Sequence, residues 1–372
     1  MSDHPYLTSE CYENVKSVLD SGLMSGYRGS SAGNLGGPMV QRLEEAFCSY
    51  FNVKYAIATS SATAALHTAL LACGLENQFI MTTPTTFSAS ASCVRMAGGV
   101  PIFCDIDEDT FNMDITKRMT HKDSMVAVHL MGHPLDMDGI MKVAEANGLA
   151  VIEDASQALG ATYKGRKVGT IGDCGVFSFN QSKSITSGEG GMLITNSDEI
   201  AYKARLIRNH GETQDEILGY NYRLTELQAA VLLPQFAMLD MKNGYRVELA
   251  DYLTSKLSQI EGITPPVVRE GCVHTYYTYG VKVDATKIGM HRNEFQSRVN
   301  DTGLYWGNPD YGKPLYMLPG YKYLRIKEGA CPVAERLWKE EFLVTDRIRW
   351  PYTHDDADEI VETFKDVIHN GS

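Results

Sequence analysis

The segment "DCGVFSFNQSKSITSGEGGMLITN", residues 173–196, sets two apolar runs around a loop that holds one lysine, Lys183, among small hydroxyl residues and glycines. The runs "GVFSF" (175–179) and "GGMLITN" (190–196) have the length and composition of buried strands. A lone lysine in a loop is ordinarily a solvated surface charge. What Lys183 means therefore depends on what the neighbouring strands bring to the same place.

Five more runs of the same kind precede it: "YAIA" (55–58), "FIMT" (79–82), "VPIFCDI" (100–106), "MVAVHLM" (125–131) and "LAVIED" (149–154). Between several of them lie helical patterns such as "TAALHTALLACG" and "DMDGIMKVAEANG", each stopped by a glycine suited to a helix C-terminus. Strands apolar throughout and separated by helices imply an α/β fold, with a mostly parallel seven-stranded sheet covered on both faces. Ligands of such sheets sit outside the carboxyl ends of the strands. After "LGYNYRLTELQAAVLL" the pattern changes. "RVELADYLTSKLSQIEG" reads as an amphipathic helix, "YYTYGVKV" as a strand, 304–323 as a loop rich in Tyr, Gly and Pro, and "PVAERLWKEEF" and "DDADEIVETFKDVI" as helices. The expected division is a large α/β domain over 1–240 and a smaller α+β domain over 241–372.

The chain has 372 residues, 44% hydrophobic and 22% charged, as in ordinary globular proteins. No apolar run approaches the length of a membrane span, and "MSDHPYLTSECYENV" lacks the core of a secretory signal. A net charge of −12 disfavours nucleic acid as a bulk partner. The eight cysteines are scattered without a CxxC pair, which suits small buried hydrophobes of a reducing cytosol. His129 and His133 read as structural, since no second metal ligand stands at a suitable spacing. The expectation is a cytoplasmic protein without metal, nucleic acid or membrane.

The strand ends carry the chemistry. After "YAIA" comes "TSSATAAL", where hydroxyl residues meet the start of a helix; this is either simple N-capping or a phosphate site at a helix N-terminus. After "FIMT" comes "TPTTFSAS", which puts Phe87 near the same rim, as a core ring or as a platform for a flat heterocycle. After "LAVI" comes "EDASQALGA". Asp154 at a buried strand end needs a cationic or hydrogen-bonding partner, either a structural salt bridge or a protonated ring nitrogen. After "GVFSF" come Ser178 and Lys183. A phosphate site, a stacking ring, a carboxylate for a pyridinium nitrogen and an amine for an aldehyde are together what pyridoxal phosphate requires.

These motifs resemble the DegT–StrS family of sugar aminotransferases, pyridoxal-phosphate enzymes of fold type I. The resemblance runs from "GGPMVQRLEEAFCSYFNVKYAIATSSATAALHTAL" (36–70) through "VHLMGHPLDMDGI" (128–140) and residues 151–196 to "LIRNHG" (206–211) and "GYNYRLTELQAA" (219–230). It implies that Lys183 holds the cofactor's aldehyde and then moves the proton. It implies that Asp154 pairs with the ring nitrogen, Gln157 contacts the ring hydroxyl and Phe87 stacks on the ring. Ser61, Ala62, Thr63 and Ser178 would hold the phosphate. Asn221 would reach the phosphate in the neighbouring subunit of a homodimer. By its local sequence, Asn221 is a loop residue holding its own turn beside a capping box from Thr225 to Gln228. Many relatives have glycine where this chain has Ala62, a departure that a backbone contact tolerates. Some relatives replace the lysine by histidine and become dehydratases; Lys183 keeps transamination.

The implied substrates are L-glutamate and a keto-sugar, foremost a nucleotide-linked keto-deoxysugar of amino-sugar biosynthesis. "YWGNPDYGKPLYMLPGYKY" and "CPVAERLWKEEFLVTDRIRWPYT" look more like the inosose and aminohydroxybenzoate branch, which keeps a keto-cyclitol or a small phosphorylated ketone open. Lys313, Lys322 and Arg325 are candidates for a diphosphate, and His210 and Arg223 for a donor carboxylate or the acceptor; solvated or structural roles stand beside each. A non-catalytic sensor that binds the cofactor is the alternative outside enzymology.

Overall fold

The fold follows from the placement of the apolar runs. A computed structural model describes residues 7–27, 35–117, 123–211, 217–307 and 312–370. Two helices, α1 (Ser9–Ser21) and α2 (Pro38–Phe51), come first. The runs then become β1 (Tyr55–Thr59), β2 (Phe79–Thr82), β3 (Val100–Phe103), β4 (Ser124–Val128), β5 (Val151–Asp154), β8 (Cys174–Ser178) and β9 (Gly191–Thr195). They form one seven-stranded sheet in the order β1-β9-β8-β5-β4-β2-β3. β3, β2, β4, β5 and β8 run parallel, while β9 is antiparallel to both its neighbours. Its reversal follows from a connection after β8 that carries no helix: the Lys183 loop simply turns the chain back.

Each strand is apolar on both faces because each face has its own core. In β4, Met125 and Ala127 join a cluster with Leu43 and Phe47 of α2, Ile140 of α5 (Met137–Asn147) and Ala229 of α7 (Glu226–Ala237). Val126 and Val128 face a second cluster built on α3 (Ala62–Ala72), α4 (Ala89–Met96) and α6 (Asp198–Arg208). α3 is apolar nearly all round and lies buried between the sheet and the helices α4 and α6. α5 begins on the side-chain cap of Asp136 and stops at Gly148, in the left-handed region at φ 63°.

Beyond α7 the long α8 (Leu239–Leu257) leads to a third core around Trp306, Phe295 and Phe364. It is covered by a three-stranded antiparallel sheet of β10 (Ile263–Thr264), β12 (Tyr279–Val283) and β13 (Phe342–Thr345). The short α9 (Ala285–Ile288), then α10 (Arg292–Asp301), α11 (Pro332–Arg336) and α12 (His354–His369), complete this part. The helix expected over "PVAERLWKEEF" is only partly α: a π-turn over Leu337–Glu341 ends it. In the loop 304–323, two short 3-10 turns cover Leu315–Met317 and Pro319–Leu324, and 308–311 lie outside the described residues.

The two halves are stitched together. β11 (Cys272–Val273) pairs with β6 (Thr162–Tyr163), which pairs with β7 (Arg166–Lys167), in a small sheet that two-residue strands do not announce in sequence. Leu315, Tyr316 and Phe342 from the C-terminal half enter the second core of the large sheet.

One buried carboxylate fixes the entry to α2. Gly37 at its N-cap offers no side chain, and Glu226, 2% exposed at the start of α7, accepts the N–H groups of Met39 (2.7 Å) and Val40 (3.2 Å) instead. A Cβ on Gly37 would stand 2.5 Å from that carboxyl carbon. Glu226→Ala is expected to lower unfolding free energy by about 2–4 kcal/mol, because two buried N–H groups lose a charged acceptor. Urea unfolding of the two proteins checks this.

Candidate active site

The carboxyl ends of the parallel strands open on one cavity of about 650 Å³. Ser61, Ala62, Thr63, Phe87, Asp154, Gln157, Ser178, Lys183 and Lys313 all line it, so the structure brings together nine of the residues singled out in the sequence.

At one wall is the turn from β1 into α3. Ser61 is the N-cap, its Oγ accepting the N–H of Ala64 at 3.1 Å. Capping and anion binding coexist here, because the cap uses one of the four free N–H groups of the helix start. β9 passes so close that a Cβ on Gly191 would lie 2.5 Å from the Ser61 carbonyl and 2.6 Å from the Ala62 nitrogen. Behind the turn, the buried Arg208 donates to Glu44 Oε1 (2.6 Å) and to the carbonyl of Ala58 (2.9 Å), while Glu44 accepts the Ala58 N–H (2.8 Å). Burial pushes the Glu44 carboxyl up, and the Arg208 guanidinium opposes it.

Asp154 ends β5 and is 5% exposed. Ser90 Oγ donates to its Oδ2 at 2.7 Å and the Ser156 N–H to its Oδ1 at 3.2 Å. Among the described residues no lysine, arginine or histidine forms an ion pair with it. Gln157 Oε1 accepts the N–H of Met131 at 2.7 Å, which holds Met131 in the left-handed region at φ 58°. Ser178 Oγ accepts the N–H of Asn180 at 3.4 Å. Lys183 is half-buried, and among the described residues its Nζ meets no acceptor; it stands 4.1 Å from the ring centroid of Tyr277. Phe87 is 70% exposed at the mouth.

Beside Asp154, strand β5 turns Glu153 to the opposite face, 0% exposed. Its carboxylate accepts from His129 Nε2 (2.9 Å) and from the N–H groups of Gly169 (2.7 Å), Ile171 (2.6 Å) and Gly172 (2.7 Å). Burial alone raises a carboxyl; here the bonds from His129, Gly172 and Gly169 outweigh it and hold Glu153 below the ordinary value. His129 Nδ1 accepts the Leu135 N–H at 3.0 Å, so both ring nitrogens are committed to packing contacts. His133 Nε2 accepts the N–H of Arg269, and burial pushes this imidazole down to about 4. No group of three metal-ligating side chains converges among the described residues.

Five of the singled-out residues stand outside the cavity. Asn221 is exposed, and its backbone pairs with Asn209; the capping box from Thr225 to Gln228 is present beside it. Arg223 bridges to Thr59 by backbone and donates from Nη1 to Asn209 Oδ1 at 2.8 Å. His210 is exposed at φ 63°. Lys322 and Arg325 are exposed on and just after the second 3-10 turn. Conversely, Ser90, Glu189, Ser182 and Tyr277 line the cavity or its loop without having been singled out. Ser90 closes "TPTTFSAS", eight residues after its strand and in the first turn of α4; Tyr277 gives no local signal.

The donor set fits pyridoxal phosphate: an anion cradle at a helix start and, among the described residues, a buried carboxylate that meets no cation and an amine that meets no acceptor. A model of the DegT/DnrJ/EryC1/StrS aminotransferase family matches residues 10–365. GDP-perosamine synthase of Caulobacter vibrioides is 36% identical over 299 residues, covering 77% of this chain and 80% of that protein. A pleiotropic regulatory protein of Geobacillus stearothermophilus is 36% identical over 344 residues, covering 89% and 90%. The X-ray structure of an aminotransferase from Psychrobacter cryohalolentis superposes with a TM-score of 0.89 at 31% identity, covering 99% of each chain.

Two outcomes follow from this geometry. Gly191→Ala is expected to destabilise by about 1–3 kcal/mol through overpacking and to weaken phosphate retention, read by unfolding and by inorganic phosphate binding. For Glu153, the depressed folded value makes its contribution present above the ordinary 4.5 and lost as pH falls through the lower folded value. Glu153→Gln is therefore expected to be less stable than wild type near neutrality, with the gap closing in acid; urea midpoints measured across pH check it.

Proposed function

The chain belongs to the DegT/DnrJ/EryC1/StrS aminotransferase family of pyridoxal-phosphate enzymes, and from that premise we propose the roles of its residues and its substrates. The protein is a sugar aminotransferase that takes an amino group from L-glutamate and delivers it to a nucleotide-linked keto-deoxysugar. The observation that carries this reading is the pair Asp154 and Lys183: a carboxylate and an amine, each without an ionic partner among the described residues, on one cavity beneath a helix N-terminus.

In this reading the N–H groups at the start of α3, with Ser61, Thr63 and Ser178, hold the phosphate. Asp154, aimed by Ser90, holds the proton on the ring nitrogen. Gln157 faces the ring hydroxyl and Phe87 covers one ring face. Lys183 would hold the cofactor through its amine, and its Nζ would be the group that accepts and returns a proton. When bound, pyridoxal phosphate supplies the electron sink that makes the carbon beside the amino group acidic. Cation-to-phosphate pairing is available from Lys313 at the cavity wall, which supports an acceptor with a diphosphate. The relative named GDP-perosamine synthase supports the same class.

Phe87 at the open mouth and the exposed Asn221 both suit completion of the site by a second copy, so the working unit in this proposal is a cytoplasmic homodimer. His210, Arg223, Lys322 and Arg325 lie outside this chain's cavity; substrate contact by them requires that second copy or movement. The domain division at about residue 240 belongs to the same proposal, supported by the separate core around Trp306. A second reading, a cofactor-binding regulator, draws on the relative named a pleiotropic regulatory protein.

One experiment separates the readings. The purified protein is expected to carry a visible absorption band that bleaches on addition of L-glutamate, and to turn over only with keto-sugar nucleotides. Lys183→Ala is expected to lack that band and to lose about 10³-fold or more in turnover. A band that persists in glutamate marks the regulator; a protein that stays colourless with added cofactor ends both readings.

A further inference from the structure

Tyr277 belongs to the segment between β11 and β12, in the C-terminal half, yet its ring lies against Lys183, with Nζ 4.1 Å from the centroid. Its hydroxyl is 2.9 Å from Ser182 Oγ, 95 residues away in sequence. The backbone that delivers it is strained. Tyr276 sits at φ 46°, a left-handed conformation that is rare for an aromatic residue and survives only where the surroundings impose it.

The surroundings do impose it. The Thr275 N–H donates to the Gly132 carbonyl (3.1 Å) and the Thr278 N–H to the Met131 carbonyl (3.4 Å). The Tyr276 N–H donates to His274 Nδ1 (3.0 Å), and the two rings stack at 3.9 Å. Gly132 lets the segments meet: a Cβ there would stand 2.7 Å from Thr275 Oγ1 and 3.1 Å from the Tyr277 nitrogen. On the other side of the lysine, Arg246 of α8 donates to Ser184 Oγ (2.8 Å) and to the Thr275 carbonyl (3.4 Å). Ser182 and Ser184 are thus both tied to the C-terminal half, and the lysine between them lies on a ring face.

We propose that Tyr277 is a positioning residue that keeps the Lys183 amine at the cavity whenever it is not covalently engaged. The proposal rests on the role given to Lys183 above. A free lysine side chain has wide rotamer freedom, and proton transfer needs its nitrogen within hydrogen-bond reach of the reacting atom. A carboxylate would pin the amine in an ion pair. A ring face attracts it without offering an acceptor that competes with the substrate.

The test compares Tyr277→Phe, which keeps the ring and loses the bond to Ser182, with Tyr277→Leu, which loses the ring. In the full-length protein stripped of cofactor, reductive methylation with formaldehyde and borohydride is followed at Lys183 by peptide mass spectrometry, relative to exposed Lys16. Tyr277→Leu is expected to speed labelling of Lys183 about threefold, with Tyr277→Phe close to wild type. In the loaded enzyme, Tyr277→Leu is expected to slow the glutamate half-reaction about tenfold with the glutamate concentration for half-saturation unchanged, and Tyr277→Phe to rescue most of it. Unchanged labelling and rate in Tyr277→Leu overturn the proposal. Equal losses in both variants together with a lowered melting temperature overturn it too, since they mark a merely structural residue. The labelling needs no cofactor, so its result stands apart from Lys183→Ala: a variant that keeps the visible band would sink the role of the lysine and leave the contact with Tyr277 measured.

Discussion

The carboxylate of Glu153 is the constraint on which the site depends. It stands in the central strand of the sheet, out of water, and accepts four hydrogen bonds from two separate pieces of chain. His129 comes from the end of β4 and the three amides from the turn 169–172 that feeds β8. A buried carboxylate left with fewer donors would be costly, so the arrangement forces β4, β5 and β8 to end at the same level. Asp154 is the next residue along β5, and a strand turns successive side chains to opposite faces. Whatever locks Glu153 on one face therefore aims Asp154 on the other.

Much of this was legible in sequence because the runs are long and uniformly apolar. "LAVIED", "MVAVHLM" and "GVFSF" became β5, β4 and β8 with shifts of at most three residues at their ends. Lys183, Asp154, Gln157, Ser178, Phe87 and the turn at Ser61 all face one cavity, because the rule that placed them concerns strand ends and needs no tertiary detail. Glu153 was readable in principle: a carboxylate inside an apolar run, with His129 just past the end of the neighbouring strand β4, signals a buried pair. The small sheet of β6, β7 and β11 was not readable, since two-residue strands have no periodicity. Tyr277 was not readable either. Its meaning lies in a contact across 95 residues and in a backbone angle set by Gly132 and Met131, neither of which leaves a trace in local composition. His210, Arg223, Lys322 and Arg325 show the converse limit, for charge alone does not say which way a loop faces.

The C-terminal half does more than add a second core. Leu315 donates its N–H to the Pro84 carbonyl at 2.9 Å, which ties the loop of Lys313 to the loop of Phe87. Thr278 meets Met131, and Met131 is held by Gln157. Contacts of this kind make the position of the C-terminal half and the shape of the cavity one variable instead of two.

That coupling bears on why Asp154 and Lys183 stay apart. Two opposite charges on one cavity wall gain energy by closing into an ion pair. Here they do not, and the structure contains a device on each side that prevents it. Asp154 has both oxygens engaged by neutral donors, Ser90 and the Ser156 amide, which satisfy the carboxylate without neutralising it. Lys183 is drawn to a ring that offers attraction and no proton acceptor, between two serines that are themselves anchored to Tyr277 and Arg246. Glu44 and Arg208, behind the β1 turn, show what the same chain does when charge is meant for stability: the two ions touch, and each also bonds the backbone of Ala58. The difference between these two arrangements is the physical mark of a site. In the proposed reading, Asp154 and Lys183 line one cavity without pairing and so stay available to a ligand that presents a cation to one and an electrophile to the other.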